Sequence, residues 1–431
     1  MPASVLFFCI ALLGCEAYGQ DVELQRGDTA SFQTGREDTR LSFESNEVFA
    51  KLELAVGRGV LFTDSVKING RSAGFFLLDT GSNISVIAAD ASKMLGIKPG
   101  EASLAIEGRD VGGTAKVDLA VGPLKIKDCP IGILDLTPIQ KFSKPVIGIL
   151  GADVLGKIPF TLDYREACLV LHNPSRFSPP EDARAFDLLI VKHQRGPGLE
   201  IPDVLVGTPA VMGGVNGYEL TMVLDTGLSR GVFIGRSDAS KQPARIGRLI
   251  PPFREATVLA NQASDMHEFD LSRLDVLGKL WADVQYAMTP VPSDEALTDQ
   301  ERETRFSAIG GTLLREFRLT FDIPHKRLWV SPSVLPHLTE REIEEKNFAG
   351  VLPIIEAVEY GDLPRLKLLL ARGASLSYQD ESGYGILHLA VIGGCPRCVE
   401  LLLSQKDRPK VDDVTPRRRN ATDSRSWPER T

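Results

Sequence analysis

The sequence predicts a mainly β protein built from two similar halves, with a small α-helical segment after them. Short apolar runs separated by Gly, Asn, Asp and Pro turns fill residues 48–171, and the same pattern returns over residues 186–332. The hexapeptide at 77–82 (LLDTGS) has a second copy at 223–228 (VLDTGL). After Leu338 the apolar residues take a helical spacing instead.

The composition is that of an ordinary globular protein, and it argues against a nucleic-acid partner. The chain has 431 residues, enough for two or three domains, with 43% hydrophobic and 25% charged residues. Its net charge of −8 leaves no basic surplus for binding nucleic acid. The short basic patch at 417–419 (RRR) is predicted to be part of a solvated tail.

The N-terminus predicts export. Residues 5–14 (VLFFCIALLG) are apolar but too short to span a bilayer, although no Lys or Arg precedes them. The small-x-small site at 17–19 (AYG) makes Gln20 the favoured mature start and the protein periplasmic or secreted. The alternative is a lipobox at 12–15 (LLGC), which would make Cys15 the lipidated residue of a membrane-anchored lipoprotein.

The chain divides into six predicted segments, with a proline-rich connector at 173–182 between the two β halves. Residues 289–305 are predicted to be a surface insertion in the second half. The segments are a signal peptide (1–19), a flexible lead-in (20–46), a first β lobe (47–178), a second β lobe (179–338), a helical repeat segment (339–405) and a disordered tail (406–431).

The two β halves align as one duplicated unit. Asp79 and Asp225 are 146 residues apart (225 − 79), and the apolar residues around them match at that offset. Farther on the offset becomes 159, where Gly151 matches Gly310 and the TLD at 161–163 matches the TFD at 320–322. The second half therefore carries 13 extra residues (159 − 146), and the period is too long for a solenoid.

Two aspartates brought together by this duplication would have a distinct chemistry. Close carboxylates oppose each other's ionisation, so one keeps its proton near neutral or acidic pH and the pair titrates as a unit. The ionised acid can take a proton from water while the protonated acid polarises a carbonyl. This chemistry needs no metal, cofactor or covalent intermediate, and the six histidines form no metal spacing such as H-x-x-x-H.

Over roughly residues 48–335 the sequence resembles the aspartic peptidases. Each half has hydrophobic-hydrophobic-Asp-Thr-Gly followed by hydrophobic-hydrophobic-Gly; the first half is similar to the retropepsin type, and the single-chain duplication is similar to pepsin. The resemblance implies two aspartic-protease β lobes with a cleft between them, a peptide or protein substrate, and Asp79 and Asp225 as a catalytic dyad that holds the lytic water. The residues that it implies support the dyad are Thr80 and Thr226, which link the lobes, and Gly81, Ser82, Gly227, Gly151 and Gly310 in the turns.

The two motifs differ at one position. Ser82 stands where a hydroxyl can hydrogen-bond the acid, whereas the second half has Leu228. We therefore expect Asp79 to be the more readily ionised acid. Hairpins that can cover the cleft are predicted at 105–115 and near 256–269. Two functions stay open: an exported aspartic endopeptidase, or an inactive bilobal protein that binds peptides and acts as a scaffold.

A second motif competes with the dyad. Residues 227–231 (GLSRG) fit G-x-S-x-G, the serine-hydrolase nucleophile elbow, which requires a strand, a turn and a helix. The residues after Ser229 are predicted as a strand, and the first half has no equivalent elbow. The aspartate interpretation is therefore favoured.

Simple signal cleavage leaves four cysteines. Cys129 and Cys168 fall in the first lobe and can form a disulfide, a point that the sequence leaves open. Cys395 and Cys398 form a lone C-x-x-C, which lacks the second pair of a zinc site. For them we expect a local disulfide or two small buried residues rather than a redox centre.

The helical segment resembles ankyrin repeats over about residues 347–405. Ala357, Gly361 and the LLL at 368–370 recur 33 residues later as Ala390, Gly394 and the LLL at 401–403. Two repeats are fewer than the roughly three needed for independent stability, so we expect them to pack against the second lobe or a partner. The segment is then either a structural cap or a docking surface for another protein.

Overall fold

The protein is mainly β with a helical C-terminal segment, as the sequence predicts. The computed structural model describes residues 41–45, 47–57, 59–100, 103–106, 109–137, 142, 144–191, 207–229, 231–235, 238, 253–256, 263–290, 307–335, 337–347, 350–379, 384–392, 395–407 and 409. The described residues divide into two compact units, one that ends before Pro336 and one that begins at His337. The predicted signal peptide with Cys15 lies outside the described residues, as does the predicted tail (406–431) apart from residues 406, 407 and 409.

The first β half is organised around a nine-stranded sheet with the order β1-β9-β6-β10-β5-β4-β8-β7, in which β3 also pairs with β4. Asn69 and Gly70 take positive φ angles of 50° and 77° in the β4–β5 hairpin that the Asn-Gly pair predicts. The elements are β1 (Leu41–Phe43), β2 (Phe49–Glu53), β3 (Ala55–Gly57), β4 (Val60–Ile68), β5 (Arg71–Leu78), β6 (Val86–Ala88), α1 (Ala89–Met94), β7 (Ser103–Ile106), β8 (Arg109–Val121), β9 (Leu124–Leu134), β10 (Val146–Leu150), α2 (Ala152–Leu155), β11 (Phe160–Asp163), β12 (Cys168–His172) and a 3₁₀ turn (Pro174–Arg176).

The second β half repeats this plan in an eight-stranded sheet with the order β14-β15-β16-β21-β17-β20-β19-β18. Asn216 and Gly217 make the equivalent hairpin turn between β15 and β16, again with positive φ angles. The elements are β13 (Arg184–Asp187), β14 (Leu189–Val191), β15 (Thr208–Val215), β16 (Tyr218–Asp225), β17 (Val232–Phe233), β18 (Phe253–Ala256), β19 (Ala263–Val276), β20 (Lys279–Pro290), β21 (Ser307–Gly310), α3 (Gly311–Leu314), β22 (Phe317–Asp322) and β23 (Arg327–Pro332).

A third, six-stranded sheet joins the two halves in the order β13-β23-β22-β11-β12-β2. Its central pair is β11 against β22, antiparallel, with Thr161 opposite Thr320 and their hydroxyls 2.7 Å apart. The rings of Phe160 and Phe321 stack with centroids 4.8 Å apart, and both side chains are fully buried. The lobes therefore share one continuous backbone ladder and one apolar contact at its centre.

Two features differ from the expectations. Residues 41–43, expected within a flexible lead-in, form β1 and pair with β9. Residues 289–290 end β20, and the rest of the predicted surface insertion lies outside the described residues. The two hairpins expected at the cleft are present in the backbone as β7 with β8 and β18 with β19.

The suggested Cys129–Cys168 disulfide does not form. Cys129 lies in β9 of the nine-stranded sheet and Cys168 in β12 of the six-stranded sheet, and both are buried free thiols. Placement in one lobe is not enough for a disulfide, because the two Cα atoms must come within about 7 Å.

The C-terminal unit has its own apolar core. Its helices are α4 (Glu340–Glu344), α5 (Pro353–Glu359), α6 (Leu363–Ala371), α7 (Ile386–Ile392) and α8 (Pro396–Leu403). Besides the two helix pairs, α4 contributes Ile343 to this core and starts with a capping box between Thr339 and Glu342. This extra helix supplies part of the burial that two repeats lack. Among the described helices, none has the length and apolar character needed to cross a membrane.

The C-x-x-C lies at the start of α8 and forms a disulfide between Cys395 and Cys398. The Cys395 Sγ accepts a hydrogen bond from the Cys398 N–H, which makes it the N-cap. One repeat earlier, Asp362 caps α6 in the same way by accepting from the Arg365 N–H. The disulfide therefore occupies a capping position of the repeat.

Candidate active site

The two D-T-G turns follow equivalent strands of the two lobes. Asp79 directly follows β5 and Asp225 ends β16; each strand runs parallel to the strand that carries the hydrophobic-hydrophobic-Gly motif. The Asp79 N–H donates to Leu150 O at 2.9 Å, and Asp225 lies opposite Gly310 in the ladder. The apolar run before each acid is buried, so both acids are carried into the interior and have 0% exposed surface.

The two carboxyl groups face each other and are held in the same way. Asp79 Oδ1 accepts from the N–H groups of Gly81 (2.9 Å) and Ser82 (3.1 Å). Asp225 Oδ1 accepts from Gly227 (2.9 Å) and Leu228 (3.0 Å). The two side chains lie within hydrogen-bonding reach of each other. Neither Oδ2 atom receives a hydrogen bond from a donor in the described part of the chain, which leaves both available for a shared proton and a reactant.

Thr80 and Thr226 lock the two turns together across the lobes. The Thr80 N–H donates to Thr226 Oγ1 at 3.0 Å, and the Thr226 N–H donates to Thr80 Oγ1 at 3.2 Å. Each hydroxyl also donates to the opposite strand, Thr80 to Leu224 O and Thr226 to Leu78 O. Each of these buried hydrogen bonds contributes about 1 kcal/mol, and removing one partner costs more because the other is left unsatisfied. The lock fixes one acid relative to the other.

Close packing explains two of the turn glycines. A Cβ on Gly81 would lie 2.5 Å from Asp225 Cγ, so only glycine allows the second carboxyl to approach the first turn. A Cβ on Gly151 would lie 2.8 Å from Ser82 O, in the loop that follows Asp79. Gly310 donates its N–H to Gly231 O at 2.9 Å in the equivalent place. The glycines thus set the separation between the strands and the acid-bearing turns.

The electrostatics of the pair favour one shared proton. Burial raises the pKa of Asp79 from 3.8 to about 6, and hydrogen bonds from Asp225 and from the backbone of Gly81 and Ser82 oppose this rise. Burial, reinforced by the negative charge of Asp79, raises the pKa of Asp225 well above its ordinary value. The pair therefore titrates as a unit, and the larger rise at Asp225 agrees with the prediction that Asp79 is the acid that ionises first.

The expected role of the Ser82 hydroxyl is wrong. Its Oγ donates to Ile84 O at 2.7 Å rather than to Asp79, because a serine hydroxyl readily satisfies a nearby backbone carbonyl. Leu228, the matching residue, packs in an apolar cluster with Val223 and Phe233. Ionisation of Asp79 before Asp225 stays a prediction, but the Ser82 side chain is not its cause.

Three buried residues near the dyad were not singled out by the sequence. Tyr164 is 4% exposed, and its pKa is raised well above 10 by burial and by the negative charges of Asp225 and Asp79. Ser85 and Asp153 form a buried hydrogen bond of 2.7 Å behind the first turn. Asp153 follows the hydrophobic-hydrophobic-Gly motif by two residues, a signal that the sequence offered; nothing in the sequence marked Tyr164.

The structure does not support the serine elbow. Ser229 is buried, and the turn that contains it leads into β17 rather than into a helix. The strand-turn-helix frame that exposes a nucleophilic serine is therefore missing at this position.

The geometry suits general acid–base catalysis on a carbonyl. The ionised acid can take a proton from a water molecule, and the protonated acid can donate to the carbonyl oxygen that the water attacks. The backbone donors on both Oδ1 atoms and the threonine lock keep the two groups aligned without further reorganisation. The fold and this site define a bilobal protein with an aspartic-peptidase-like dyad.

Comparison with known proteins agrees with this class. Residues 65–154 match the family model described as aspartyl protease, and residues 354–403 match the model of ankyrin repeats. The chain thus carries an aspartyl protease domain and an ankyrin-repeat segment, and both resemblances predicted from the sequence are confirmed.

The similarity to individual proteins is remote. A search of curated protein sequences found no significant match. Among solved structures, the crystal structure of Basic 7S globulin from soybean is similar at 11% identity and a TM-score of 0.35, covering 67% of this chain and 95% of that chain. At this distance the assignment depends on the family models and the geometry of the dyad.

Proposed function

We propose that this protein is an aspartic endopeptidase in which Asp79 and Asp225 activate a water molecule for attack on a peptide carbonyl. One observation carries the proposal: two fully buried carboxyl groups within hydrogen-bonding reach, each held through Oδ1 by two backbone N–H groups and by a shared threonine lock. A purely structural pair of turns does not need two buried acids in contact, since burying two like charges together is costly.

The test is peptide cleavage by the purified full-length protein across about pH 3–8, a range wide enough to cover both ionisations of the dyad. Asp79→Asn and Asp225→Asn are the key variants, and each should lose activity while keeping the fold. A statine-type transition-state mimic should inhibit the enzyme, whereas a serine-directed reagent should not. Equal cleavage by the wild type and both variants would show that Asp79 and Asp225 are not the catalytic residues.

One observation favours an alternative, in which the protein binds peptides without cleaving them. Both acids have 0% exposed surface, whereas cleavage requires direct contact between the dyad and a substrate carbonyl. Retained peptide binding without cleavage at any pH would support this second function. The same set of variants separates the two functions, because peptide binding alone should survive the loss of either carboxyl group.

Export and a protein partner are further parts of the proposal. The apolar run at 5–14 supports export, and sequencing the mature N-terminus distinguishes a start at Gln20 from lipidation at Cys15. The ankyrin segment supports binding of another protein, which is the usual role of such repeats. Removing residues 339–431 should then slow cleavage of a folded protein substrate and leave cleavage of a short peptide unchanged.

A further inference from the structure

A third buried aspartate lies behind the first acid-bearing turn. Asp153, in α2, is 3% exposed, and its Oδ1 accepts from Ser85 Oγ at 2.7 Å. The same Ser85 Oγ accepts from the Gly151 N–H at 2.9 Å. The backbone of Ser85 and Val154 lowers the pKa of this carboxyl and so opposes the effect of burial, while the Val154 N–H donates to Gly151 O at 3.2 Å. A buried carboxylate without a partner is costly, so Asp153, Ser85 and Gly151 form a hydrogen-bonded arrangement that holds these three residues in place.

This arrangement holds the loop that carries Asp79. The loop runs from Asp79 to Ser85 and is tied to the residues around Gly151 at three points. The Asp79 N–H donates to Leu150 O (2.9 Å), the Ala152 N–H donates to Ser82 O (2.7 Å), and Ser85 bridges Gly151 to Asp153. The Gly81 and Ser82 N–H groups that hold the Asp79 carboxyl lie between the first and last of these ties.

The second lobe has the equivalent loop, but different residues make the hydrogen bonds that hold it. At matching positions, Gly231 replaces Ser85 and Thr312 replaces Asp153. The Gly311 N–H donates to Leu228 O at 2.8 Å as in the first lobe, but the Gly310 N–H donates directly to the Gly231 carbonyl at 2.9 Å. In the second loop this contact is made by a backbone carbonyl, whereas in the first loop it runs through the side chains of Ser85 and Asp153.

We propose that Asp153 is a positioning residue for Asp79: through Ser85 it holds the 79–85 loop so that the Gly81 and Ser82 N–H groups align the Asp79 carboxyl for the reaction. The proposal rests on the aspartic-peptidase function, but the alignment itself is a property of the folded protein. Asp153 acts through Ser85 and the backbone, without contact to substrate.

Two other titratable groups interact with Asp153. The positive charge of Lys157 favours the ionised carboxylate, although burial raises the pKa of Asp153 to about 6. Burial, with the negative charge of Asp153, raises the pKa of the Cys129 thiol to about 12, so this thiol stays neutral and adds no charge. Above about pH 6 the carboxylate is therefore ionised and accepts from its donors at full strength.

The experiment compares Asp153→Asn, Ser85→Ala and Thr312→Val, the last as the matched control in the second lobe. Asp153→Asn and Ser85→Ala should each lower kcat by about 10- to 100-fold, as expected for a misplaced catalytic group, with KM within about twofold. Thr312→Val should leave both unchanged, because the Gly231 carbonyl closes that loop without it. Ser85→Thr keeps the hydroxyl and should therefore retain most of the wild-type kcat.

The pKa of Asp79, measured by carboxyl NMR in the same variants, separates positioning from a simple charge effect. Loosening the loop weakens the N–H donors and should raise the pKa of Asp79, whereas removing the Asp153 charge alone should lower it. A rise in both Asp153→Asn and Ser85→Ala supports the proposal, and a fall or no change in Ser85→Ala overturns it. If Asp153→Asn does not fold, Ser85→Ala decides. If the wild type cleaves no peptide, the peptidase function is refuted. The NMR titration still tests whether Asp153 and Ser85 position Asp79, because it needs no turnover.

Discussion

The dyad should make the folded protein less stable at neutral pH, and Asp79→Asn should reverse this. The pKa of Asp79 is about 6 in the fold, against an ordinary value of 3.8. The folded state thus binds this proton more tightly than the unfolded state, and the free energy of unfolding falls as pH rises from 3.8 to 6. At about 1.4 kcal/mol for each tenfold change in proton affinity, the loss is about 3 kcal/mol.

Asparagine keeps the acceptor for the Gly81 and Ser82 N–H groups but has no charge to bury. Melting curves should therefore show Asp79→Asn about 5 °C above the wild type at pH 7.5. The difference should shrink toward zero near pH 4, where the wild-type acid is protonated. Asp64→Asn, at an exposed site on β4, is the control and should change neither curve. A gain that is equal at both pH values, or absent at pH 7.5, would refute this account of the dyad's energetics.

Three further outcomes follow from the site. The value of kcat/KM should fall about tenfold per pH unit below pH 6 as Asp79 becomes protonated, and a flat acid limb measured with a peptide substrate would contradict this. Gly81→Ala should reduce kcat/KM more than about 100-fold, because the added Cβ would lie 2.5 Å from Asp225 Cγ. The control is Gly70→Ala, whose added Cβ would have no atom within 4 Å; it should change the stability but not kcat/KM. Thr226→Val should destabilise the β unit by about 2–4 kcal/mol in denaturant titrations, since it removes two interlobe hydrogen bonds, whereas Thr226→Ser should stay near the wild type.

Much of the site follows from counting the repeat. The offset between the D-T-G motifs identifies Asp79 and Asp225, and their turns meet through Thr80 and Thr226. The second offset, 159, equals the separation of Thr161 and Thr320, which pair across the shared sheet. Repeats are informative here because equivalent sequence stretches adopt equivalent structure, and the pseudo-symmetry then brings matching residues together.

The features that could not be predicted from the sequence depend on the choice among nearby hydrogen-bond acceptors and on packing between strands that are distant in the chain. The Ser82 hydroxyl donates to the nearby Ile84 carbonyl rather than to Asp79, a local choice that the D-T-G-S motif does not specify. Strand β1 has three residues, too few for a period, and forms only because the edge of β9 is available. The separation of Cys129 from Cys168 is decided by which sheet each strand joins.

The register of the shared sheet has a consequence for how the two halves have diverged. Thr161 lies opposite Thr320, its own counterpart, and on either side Phe160 faces Phe321 while Leu162 faces Leu319. This is the pairing that a two-fold axis through the threonines imposes on two identical subunits. When the two copies are joined in one chain they can differ in sequence, because a substitution then appears once per molecule rather than twice. The carboxylate at 153 and the threonine at 312 are such a divergence. Because of this divergence, the surroundings of Asp79 can change while those of Asp225 stay the same. A homodimer of a single gene product cannot make such a one-sided change.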